Sequence, residues 1–317
     1  MENLGILFPM RILVTGGAGF IGSHVCDALL ARGHEVLALD DLSSGRRENL
    51  DRRVRLIVAD IRTSGAAAAI EHMKPEAICH LAAQIQVRRS VEDPKFDADC
   101  NVLGLLNLLE ASRRAGVRRV VFASTGGAIY GEQDVHPAPE THPLRPASPY
   151  GAAKAAGELY LGYYRQQYGI SFAALRYANV YGPRQNPHGE AGVVAIFAER
   201  LLAGQNCDIN GSGRQTRDFV YVSDVARANV LAVEGDFSGA VNIGTGIETD
   251  VLGIYRSLAQ AAGTGAQPRM MPAKPGEQMR SSIDPSLAGR VLGWQPTVDL
   301  AAGLGATLES FRKKLAA

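Results

Sequence analysis

The chain contains 317 residues, of which 46% are hydrophobic and 21% charged, and its formal net charge is +1. This balance is typical of a globular protein, and it argues against a nucleic acid or a membrane surface as a partner. No apolar run approaches the roughly 18 to 20 residues that a membrane-spanning helix needs. The four cysteines form no CxxC pair and the histidines show no metal-ligand spacing, so we expect reduced thiols, a cytoplasmic location and no metal.

The first ten residues, MENLGILFPM, carry an acidic residue and no basic stretch, which is unlike a secretory signal. Because a strand pattern begins directly afterwards, we expect residues 1–10 to be a disordered extension and Met10 to be the natural start. From residue 11, short apolar runs alternate with helical patterns up to about residue 180. The runs are RILVTG (11–16), EVLALD (35–40), VRLIVAD (54–60), AICHLAA (77–83), RVVFAST (119–125) and SFAALRY (171–177).

These runs are continuously apolar rather than alternating, which indicates strands that are buried on both faces. Strands that alternate with helices predict an α/β fold with a doubly wound parallel sheet, a Rossmann domain over residues 11–180. Beyond residue 180 the pattern breaks into Gly- and Pro-rich loops and shorter helices. We therefore expect a smaller mixed α/β C-terminal lobe over 181–317, mainly for substrate, with segments near 215–245 returning to the first domain.

The stretch VTGGAGFIGSH follows the first predicted strand and opens the first helix. Gly16, Gly19 and Gly22 would permit a tight turn, the approach of a pyrophosphate to the backbone, and close packing of the helix on the strand. The N-terminus of that helix then offers free N–H groups to the phosphates. A glycine pattern alone is weak, but its place between a strand and a helix supports a dinucleotide site.

Asp40 ends the second strand, where a carboxylate would accept hydrogen bonds from the adenosine ribose and repel a 2′-phosphate. NAD is therefore favoured over NADP, although Arg46 and Arg47 lie in the following loop and would suit a phosphate. Asp60 ends the third strand. It would either bind the adenine amino group or cap the next helix, and the periodicity does not separate these alternatives.

Ser124 and Thr125 end the fifth run, at the edge of the sheet where doubly wound folds place their chemistry. After a proline-rich loop, SPYGAAK places Tyr150 and Lys154 four residues apart, on one face of a helix. A phenol is a poor base at neutral pH, but a nearby ammonium and a positive nicotinamide ring would favour its phenolate form. Tyr150 would then take a proton from a substrate hydroxyl. The alternative, a half-buried helix tyrosine without a catalytic role, is disfavoured by the nucleotide pattern.

These motifs together resemble the extended short-chain dehydrogenases/reductases, specifically the NAD-dependent epimerase/dehydratase family in the group of the UDP-glucose 4-epimerases. The resemblance covers residues 11–315. It rests on TGGAGFIGSH, LDDLSSG, ADIR, HLAAQ, STGGAIYG, SPYGAAK, LRYANVYGPRQ, RQTRDFVYVSDVA, KPGEQ and VLGW.

The resemblance implies that Tyr150 is the base and that Lys154 positions the nicotinamide ribose and lowers the pKa of the tyrosine. It also implies a catalytic hydroxyl that assists Tyr150. This hydroxyl is Thr125 or else Ser124, because an extra residue in STGGAIYG makes the alignment with similar enzymes ambiguous. Besides Tyr150 and Lys154, the implied NAD contacts are Gly16, Gly19, Phe20, Ile21, Gly22, Asp40, Asp41, Leu42, Ser43, Gly45, Asp60, Ile61, Leu81, Ala82, Ala83, Gln84, Asn101 and Ala178. The implied contacts to a UDP-sugar are Asn179, Val193, Val194, Arg217, Lys274, Glu277, Arg280 and Ser281, with Arg217 as the diphosphate clamp and Arg280 sharing the role of Lys274.

Enzymes that resemble this chain catalyse several different reactions, and residues of this sequence discriminate between them. Dehydratases and decarboxylases that resemble this chain carry acids after the fifth strand, where Gly126 and Gly127 stand here, and glycine transfers no proton. Glucuronate epimerases show carboxylate-binding residues that YANVYGPRQNPHGEA lacks. The resemblance therefore implies an isomerase, a UDP-glucose/UDP-galactose 4-epimerase that oxidises C4 transiently and returns the hydride. The alternatives are another nucleotide-sugar dehydratase or reductase, or a non-catalytic NAD-sensing regulator.

Ser281 falls at a position where similar enzymes with a bulky tyrosine are restricted to glucose and galactose. Its small side chain implies room for a 2-acetamido group, so we expect UDP-GlcNAc and UDP-GalNAc to be substrates as well.

The sequence also predicts a homodimer. The helix DCNVLGLLNLLEAS is apolar almost all round, so one face needs a partner beyond the sheet. Tyr160, Tyr163, Tyr164 and Tyr168 form a stripe on the Tyr150 helix, and in similar enzymes these two helices form the dimer interface.

Overall fold

Alternating strands and helices build the centre of the molecule. The structure, a computed structural model, describes residues 9–188, 192–273 and 278–316. Most of the expected extension and the candidate substrate residues Lys274 and Glu277 lie outside these described residues. The strands are β1 (Arg11–Thr15), β2 (Glu35–Asp40), β3 (Arg55–Val58), β4 (Ala77–His80), β5 (Arg119–Thr125), β6 (Ser171–Tyr177), β7 (Asn179–Tyr181), β8 (Asp208–Asn210), β9 (Thr216–Tyr221), β10 (Gly239–Ile243), β11 (Glu248–Asp250) and β12 (Arg269–Met271).

Helices alternate with the strands through the first half of the chain, as the sequence pattern predicts. A π-helical turn over Asp99–Leu103 joins the fourth helix to the fifth. The helices are α1 (Phe20–Ala31), α2 (Ser64–Met73), α3 (Val87–Glu92), α4 (Pro94–Ala98), α5 (Gly104–Ala115), α6 (Gly126–Ile129), α7 (Pro149–Tyr168), α8 (Val193–Leu202), α9 (Val222–Glu234), α10 (Val251–Ala262), α11 (Ser286–Leu292) and α12 (Leu300–Ala316).

Seven of the described strands form one parallel sheet in the order β10-β6-β5-β4-β1-β2-β3. Because β1 pairs with both β2 and β4, the path of the chain across the sheet reverses at this point. Ligands of open α/β sheets bind outside the carboxyl ends of the strands at such a reversal. The predicted doubly wound Rossmann fold is confirmed, and this edge is where the residues that follow β1, β2, β4 and β5 converge.

Helices cover both faces of this sheet. Ile12 and Val14 of β1 pack into an apolar cluster with α1 and α9, whereas Leu13 packs into another with α2, α5 and α7. All three side chains are fully buried. Burial on both faces explains the continuously apolar runs, and each such side chain contributes about 1.5–3 kcal/mol relative to an exposed one.

A second group of elements follows β6. In the described part of the chain, β11, β9 and β7 form a three-stranded mixed sheet, and β12 pairs with β8. Helices α8, α10 and α12 close over an apolar cluster around Phe197, Tyr255 and Leu308. By contrast, α9 and β10 lie with the large sheet, where β10 pairs with β6. None of the helices in the described ranges is long and apolar enough to cross a membrane.

Candidate active site

The glycine-rich turn after β1 brings the backbones of three segments close together. Gly16 has a φ of 68°, a conformation that favours glycine, and a Cβ there would lie 2.7 Å from the backbone nitrogen of Ala82. A Cβ at Gly22, in the first turn of α1, would collide with the carbonyl oxygen of Gly16. The missing side chains therefore allow the turn, and they leave the N–H groups of Phe20 and Ile21 at a helix N-terminus suited to phosphate.

Asp40 ends β2 beside this turn and is almost fully buried. Its Oδ2 accepts a hydrogen bond from the Ala18 N–H (3.0 Å), and its Oδ1 accepts one from the Leu42 N–H (2.9 Å). Burial raises the pKa of this carboxyl, and the backbone donors oppose that rise. Gly45 approaches so closely that a Cβ would lie 2.7 Å from Oδ1. Asp40 thus connects the glycine-rich turn to the loop that follows β2, and its carboxylate oxygens retain lone pairs that can accept hydrogen bonds from ribose hydroxyls.

The rest of this loop is open to solvent. Asp41 and Ser43 are exposed, and the N–H and hydroxyl of Ser43 both donate to the Asp41 carboxylate. Arg46 and Arg47 are exposed as well. Asp40, by contrast, is the buried acidic residue at the tip of β2.

Asp60 follows β3 and forms an ion pair with Arg62, whose Nη2 lies 2.5 Å from its Oδ2. The side-chain hydrogen bond from Arg62 lowers the pKa of Asp60. The cap of α2 is Thr63, whose hydroxyl accepts a hydrogen bond from the Ala66 N–H (3.3 Å). Of the two alternatives for Asp60, the helix cap is therefore wrong; its carboxylate is held by Arg62, beside Ile61.

Asn101 organises the loop after β4, which contains Leu81, Ala82, Ala83 and Gln84. Its Oδ1 accepts a hydrogen bond from the Gln84 N–H (2.9 Å), and its Nδ2 donates to the Gln84 carbonyl (2.9 Å). The loop is also held to β1, because the Ala82 N–H donates to the Thr15 hydroxyl (3.3 Å). Asn101 is 4% exposed, and these hydrogen bonds make it a support of the expected cofactor loop.

SPYGAAK forms the first turns of α7. Ser148 is the N-cap, since its hydroxyl accepts a hydrogen bond from the Gly151 N–H (3.2 Å), and Pro149 occupies the first turn. Tyr150 and Lys154 therefore lie one turn apart on this helix, and the Lys154 Nζ lies 5.9 Å from the centre of the Tyr150 ring.

Lys154 is 3% exposed, and its Nζ lies 4.7 Å from the centre of the Phe122 ring on β5. Burial lowers the pKa of Lys154 to about 8, whereas the carboxylates of Asp97 and Glu158 raise it. The charge of Lys154 near neutral pH therefore depends on a balance between desolvation and two acids.

The protein surroundings raise the pKa of Tyr150. Tyr150 is half-buried; burial raises its pKa, and the charge of Asp97 adds to this rise. The expected lowering by Lys154 is not found, because desolvation of the phenolate is the dominant effect. A positively charged nicotinamide ring bound beside Tyr150 would oppose this rise in its pKa.

β5 delivers both candidate hydroxyls, but into different surroundings. Ser124 is 3% exposed, and its hydroxyl donates to Glu158 Oε1 at 2.6 Å. Thr125 is half-buried, and its Oγ1 accepts a hydrogen bond from the Ala128 N–H at 3.3 Å, which caps α6. The Ser124 hydroxyl already donates its proton to the Glu158 carboxylate, whereas the Thr125 hydroxyl can still donate to a substrate oxygen. This arrangement favours Thr125.

The two glycines that open α6 are not equivalent. A Cβ at Gly126 would lie 2.7 Å from the side chain of Ile283, so no larger residue fits without movement. A Cβ at Gly127 would lie 3.8 Å from the Ser281 hydroxyl, which is an ordinary contact. Ser281 is thus a direct neighbour of the segment that follows Thr125.

Arg217, Arg280 and Ser281 lie near one another across β9 and β11. The Asp218 N–H donates to the Ser281 carbonyl at 2.9 Å, which places Arg217 of β9 beside the 280–281 segment. Arg217 donates through Nη1 to the preceding backbone carbonyl (2.7 Å). Arg280 forms an ion pair with Glu248 at 2.5 Å, so part of its charge is already compensated.

The remaining cofactor and substrate candidates differ in how exposed they are. Ala178 is half-buried before β7, and Asn179 is exposed at the start of that strand, where it pairs with Phe219 of β9. Val193 is half-buried at the start of α8. Val194 is 1% exposed within the apolar cluster of the smaller sheets, so its side chain serves the core and only its backbone is suited to a ligand.

Three charged residues beside the site were missed by the sequence analysis. Glu158 follows Lys154 by four residues on the same helix, and that spacing was the available signal. Arg176 of β6 gives Glu158 a buried bidentate ion pair, with Nη2–Oε2 at 2.6 Å and Nε–Oε1 at 3.0 Å. Asp97 belongs to α4, and only the packing of α4 against α7 brings it to the site.

The comparisons with known proteins agree with this geometry. The NAD dependent epimerase/dehydratase family matches residues 12–244. A UDP-glucose 4-epimerase of Mycolicibacterium smegmatis is 51% identical over 312 residues, which cover 96% of this chain and 99% of the relative. A crystal structure of a UDP-glucose 4-epimerase from Thermotoga maritima with UDP-glucose has a TM-score of 0.94 and 48% identity, covering 96% of this chain and 100% of that chain. A Thermus thermophilus UDP-glucose 4-epimerase in complex with NAD has a TM-score of 0.90 and 49% identity, covering 96% and 99%.

The reversal at β1, the glycine turn beside it and the Tyr150–Lys154 pair on α7 define an extended short-chain dehydrogenase/reductase. The chain belongs to the NAD-dependent epimerase/dehydratase family. The residues of this site fit NAD. Gly16 and Gly22 allow a pyrophosphate to approach the backbone closely, and Asp40 places a carboxylate at the tip of β2 for the ribose.

Proposed function

We propose that the chain is a UDP-sugar 4-epimerase that interconverts UDP-glucose and UDP-galactose with NAD as its resident cofactor. The observation that carries this proposal is the placement of Tyr150 and Lys154 on the first turns of α7, in a site whose β5 strand ends in Thr125. The glycines at 126 and 127 leave the segment after Thr125 without an acid for dehydration. The strong similarity to a UDP-glucose 4-epimerase over 96% of the chain supports the same activity.

Each residue then has one role. Bound NAD supplies the acceptor and the donor for the hydrogen at sugar C4. The Tyr150 Oη takes the proton of the C4 hydroxyl and later returns it. The Thr125 hydroxyl donates to that oxygen and aligns it, and the Lys154 ammonium offsets the negative charge that develops on Tyr150.

The binding residues follow the same proposal. The glycine turn, the loop from Asp41 to Gly45, the loop 81–84 and Ala178 would hold NAD, with Asp40 at the ribose and Asn101 behind the loop. Asn179, the backbone at 193–194, Arg217, Arg280 and Ser281 would hold the UDP-sugar. We further assign the cofactor to residues 11–180 with α9 and β10, and most of 181–317 to the substrate.

The activity is tested with purified protein and UDP-galactose. We expect UDP-glucose to form without added NAD. The resident NAD stays bound, and it is not consumed because the hydride is returned to the sugar in every cycle. Product is measured by NMR or by a coupled dehydrogenase. A protein that forms no UDP-glucose even when NAD is added would rule the proposal out.

The proposed substrate range includes UDP-GlcNAc, because Ser281 is small and lies beside Gly127. Ser281→Tyr is expected to lower turnover of UDP-GlcNAc by at least about tenfold relative to UDP-glucose, since the ring would fill the space for the acetamido group. Both turnover rates are measured in parallel assays. Ser286→Tyr, at an exposed serine on α11, is the matched control. Equal losses for both sugars, or no turnover of UDP-GlcNAc by the unaltered protein, would contradict this assignment.

We propose a homodimer that buries the apolar residues left open on α3, α7 and the turn before α5. Val91, Leu103, Leu159 and Tyr163 are 62%, 56%, 75% and 52% exposed. Large exposed apolar patches of this kind mark interaction surfaces. Sedimentation at micromolar concentration should give a dimer, and the double variant Leu103→Glu/Leu159→Glu a monomer. A monomeric unaltered protein would refute this arrangement.

We also assign the enzyme to the cytoplasm. The free cysteines Cys26, Cys79 and Cys207 are buried, and an unpaired thiol suits a reducing compartment.

A further inference from the structure

Asp97 on α4 is a buried acid with one oxygen that has no partner. The residue is 1% exposed. Its Oδ1 accepts hydrogen bonds from Gln84 Nε2 and from Asn101 Nδ2, both at 3.0 Å. Its Oδ2 is buried and accepts no hydrogen bond from any residue that the structure describes. A buried carboxylate is costly unless a charge or a donor compensates it, so this oxygen calls for a partner.

The charge of Asp97 acts on α7, against which α4 packs. Asp97 raises the pKa of Lys154 and that of Tyr150. The interaction is reciprocal: burial raises the pKa of Asp97, and the charge of Lys154 is among the effects that oppose this rise. Asp97 and Lys154 therefore stabilise each other's charged forms.

The other titratable groups around Lys154 are either neutral or already paired with other residues. In the described residues, the titratable groups that face Lys154 are Tyr150 and Glu158 on its own helix, Asp97 from α4 and His80 from β4. Burial lowers the pKa of His80 to about 3, so this ring stays neutral, and its Nδ1 lies 2.7 Å from the Thr15 hydroxyl. Glu158 is shared by Arg176 and Ser124. The unused carboxylate oxygen is that of Asp97.

We propose that Asp97 is a positioning residue whose buried carboxylate, on a helix packed against α7, is a counter-charge that keeps Lys154 an ammonium beside Tyr150. This inference rests on the proposed function, in which a charged Lys154 must stand next to Tyr150. The same side chain binds Gln84 and Asn101 through its Oδ1. Asp97 therefore links the loop after β4 to the helix that carries the Lys154 ammonium.

The test replaces Asp97 by asparagine, which removes the charge and keeps an oxygen to accept from Gln84 and Asn101. Lys154 is followed by NMR of protein labelled at lysine ¹³Cε, and its signal is assigned by its loss in Lys154→Met. The sequence has six lysines, and Lys154 is the buried one among those that the structure describes. We expect the titration midpoint of Lys154 to move to lower pH by on the order of one unit, because a neighbouring negative charge is lost.

A second readout is the pH profile of kcat. Since Asp97 raises the pKa of both Lys154 and Tyr150, its neutralisation should move both limbs of the profile to lower pH. Asp93→Asn is the matched control, because Asp93 is an exposed N-cap of the same helix and asparagine caps equally well. This control should shift neither the NMR midpoint nor the pH profile.

The proposal is overturned if Asp97→Asn lowers activity while the Lys154 midpoint stays at its wild-type value, since a purely structural role gives that result. The NMR titration needs no epimerase activity, so it separates this inference from the proposed function. If Asp97→Asn does not fold, Lys154→Met provides the reciprocal test. The Asp97 carboxyl should then titrate at higher pH by ¹³Cγ NMR, and an unchanged midpoint would overturn the proposal equally.

Discussion

Replacing Tyr150 by phenylalanine is expected to lower kcat for UDP-galactose by roughly 10²- to 10⁴-fold, the usual contribution of a general base. The variant loses only the hydroxyl, and the ring keeps its place on the first turn of α7 beside the Lys154 ammonium. Thermal stability and the NAD content of the purified protein should therefore stay close to those of the wild type. The measurement is a coupled assay with both of these controls on the same preparation.

Tyr160→Phe is the matched variant, because Tyr160 lies on the same helix and is 39% exposed. It should retain full activity. If Tyr150→Phe kept activity within a few-fold of the wild type, the proton at the C4 hydroxyl would have to be moved by another group, and the assignment of the site would fail.

Glu158→Gln is expected to lower the free energy of unfolding by about 3–5 kcal/mol, the usual effect of removing one partner from a buried ion pair. The side chains of Glu158 and Arg176 are 8% and 6% exposed. Burial alone would lower the pKa of Arg176, but the hydrogen bonds and charge of Glu158 raise it on balance. With glutamine at position 158, the buried guanidinium would keep neutral acceptors, among them the Tyr130 hydroxyl (2.9 Å) and the Glu140 carbonyl (3.3 Å), but it would lose its counter-charge.

Urea denaturation measures this change. Glu309→Gln is the control, because Glu309 pairs with Arg312 at 2.8 Å while both side chains are about half exposed, and surface pairs of this kind contribute little. The double variant Glu158→Gln/Arg176→Met should be destabilised less than the sum of the two single variants, since neither charge is then left alone. A loss below about 1 kcal/mol for Glu158→Gln would show that the pair is not desolvated.

The parts of this protein that the sequence predicts are those with local causes. The turn at Gly16 needs a left-handed backbone and the absence of a Cβ, and both requirements are visible as glycines between a strand and a helix. The pairing of Tyr150 with Lys154 follows from the helical period and from the Ser148 cap. The continuously apolar strand runs correctly indicate a sheet covered on both faces.

The parts that the sequence does not predict depend on contacts between distant segments. Ser124 and Thr125 are adjacent and chemically similar, and only the arrival of Glu158 from α7 commits one of the two hydroxyls. Likewise, the hydrogen bonds of the Asn101 amide to the Gln84 backbone join segments 17 residues apart and cannot be inferred from the sequence. Such roles depend on which side chains the fold places within hydrogen-bonding distance.

The direction of the pKa of Tyr150 has the same origin. A helix turn shows that an ammonium is near the phenol, and it predicts a lowered pKa for that reason. It does not show how much water the surrounding protein removes, nor that Asp97 approaches from α4. Desolvation and the charge of Asp97 both raise the pKa of the phenol. A positively charged nicotinamide ring bound beside Tyr150 would oppose that rise.

The most direct test of the account is a crystal structure of the protein with NAD and a UDP-hexose. The account predicts that the Tyr150 Oη lies within about 2.6–3.2 Å of the C4 hydroxyl oxygen, with the Thr125 hydroxyl on the same oxygen. A bound sugar whose C4 hydroxyl is instead contacted by another acid or base, with Tyr150 out of hydrogen-bonding reach, would contradict it.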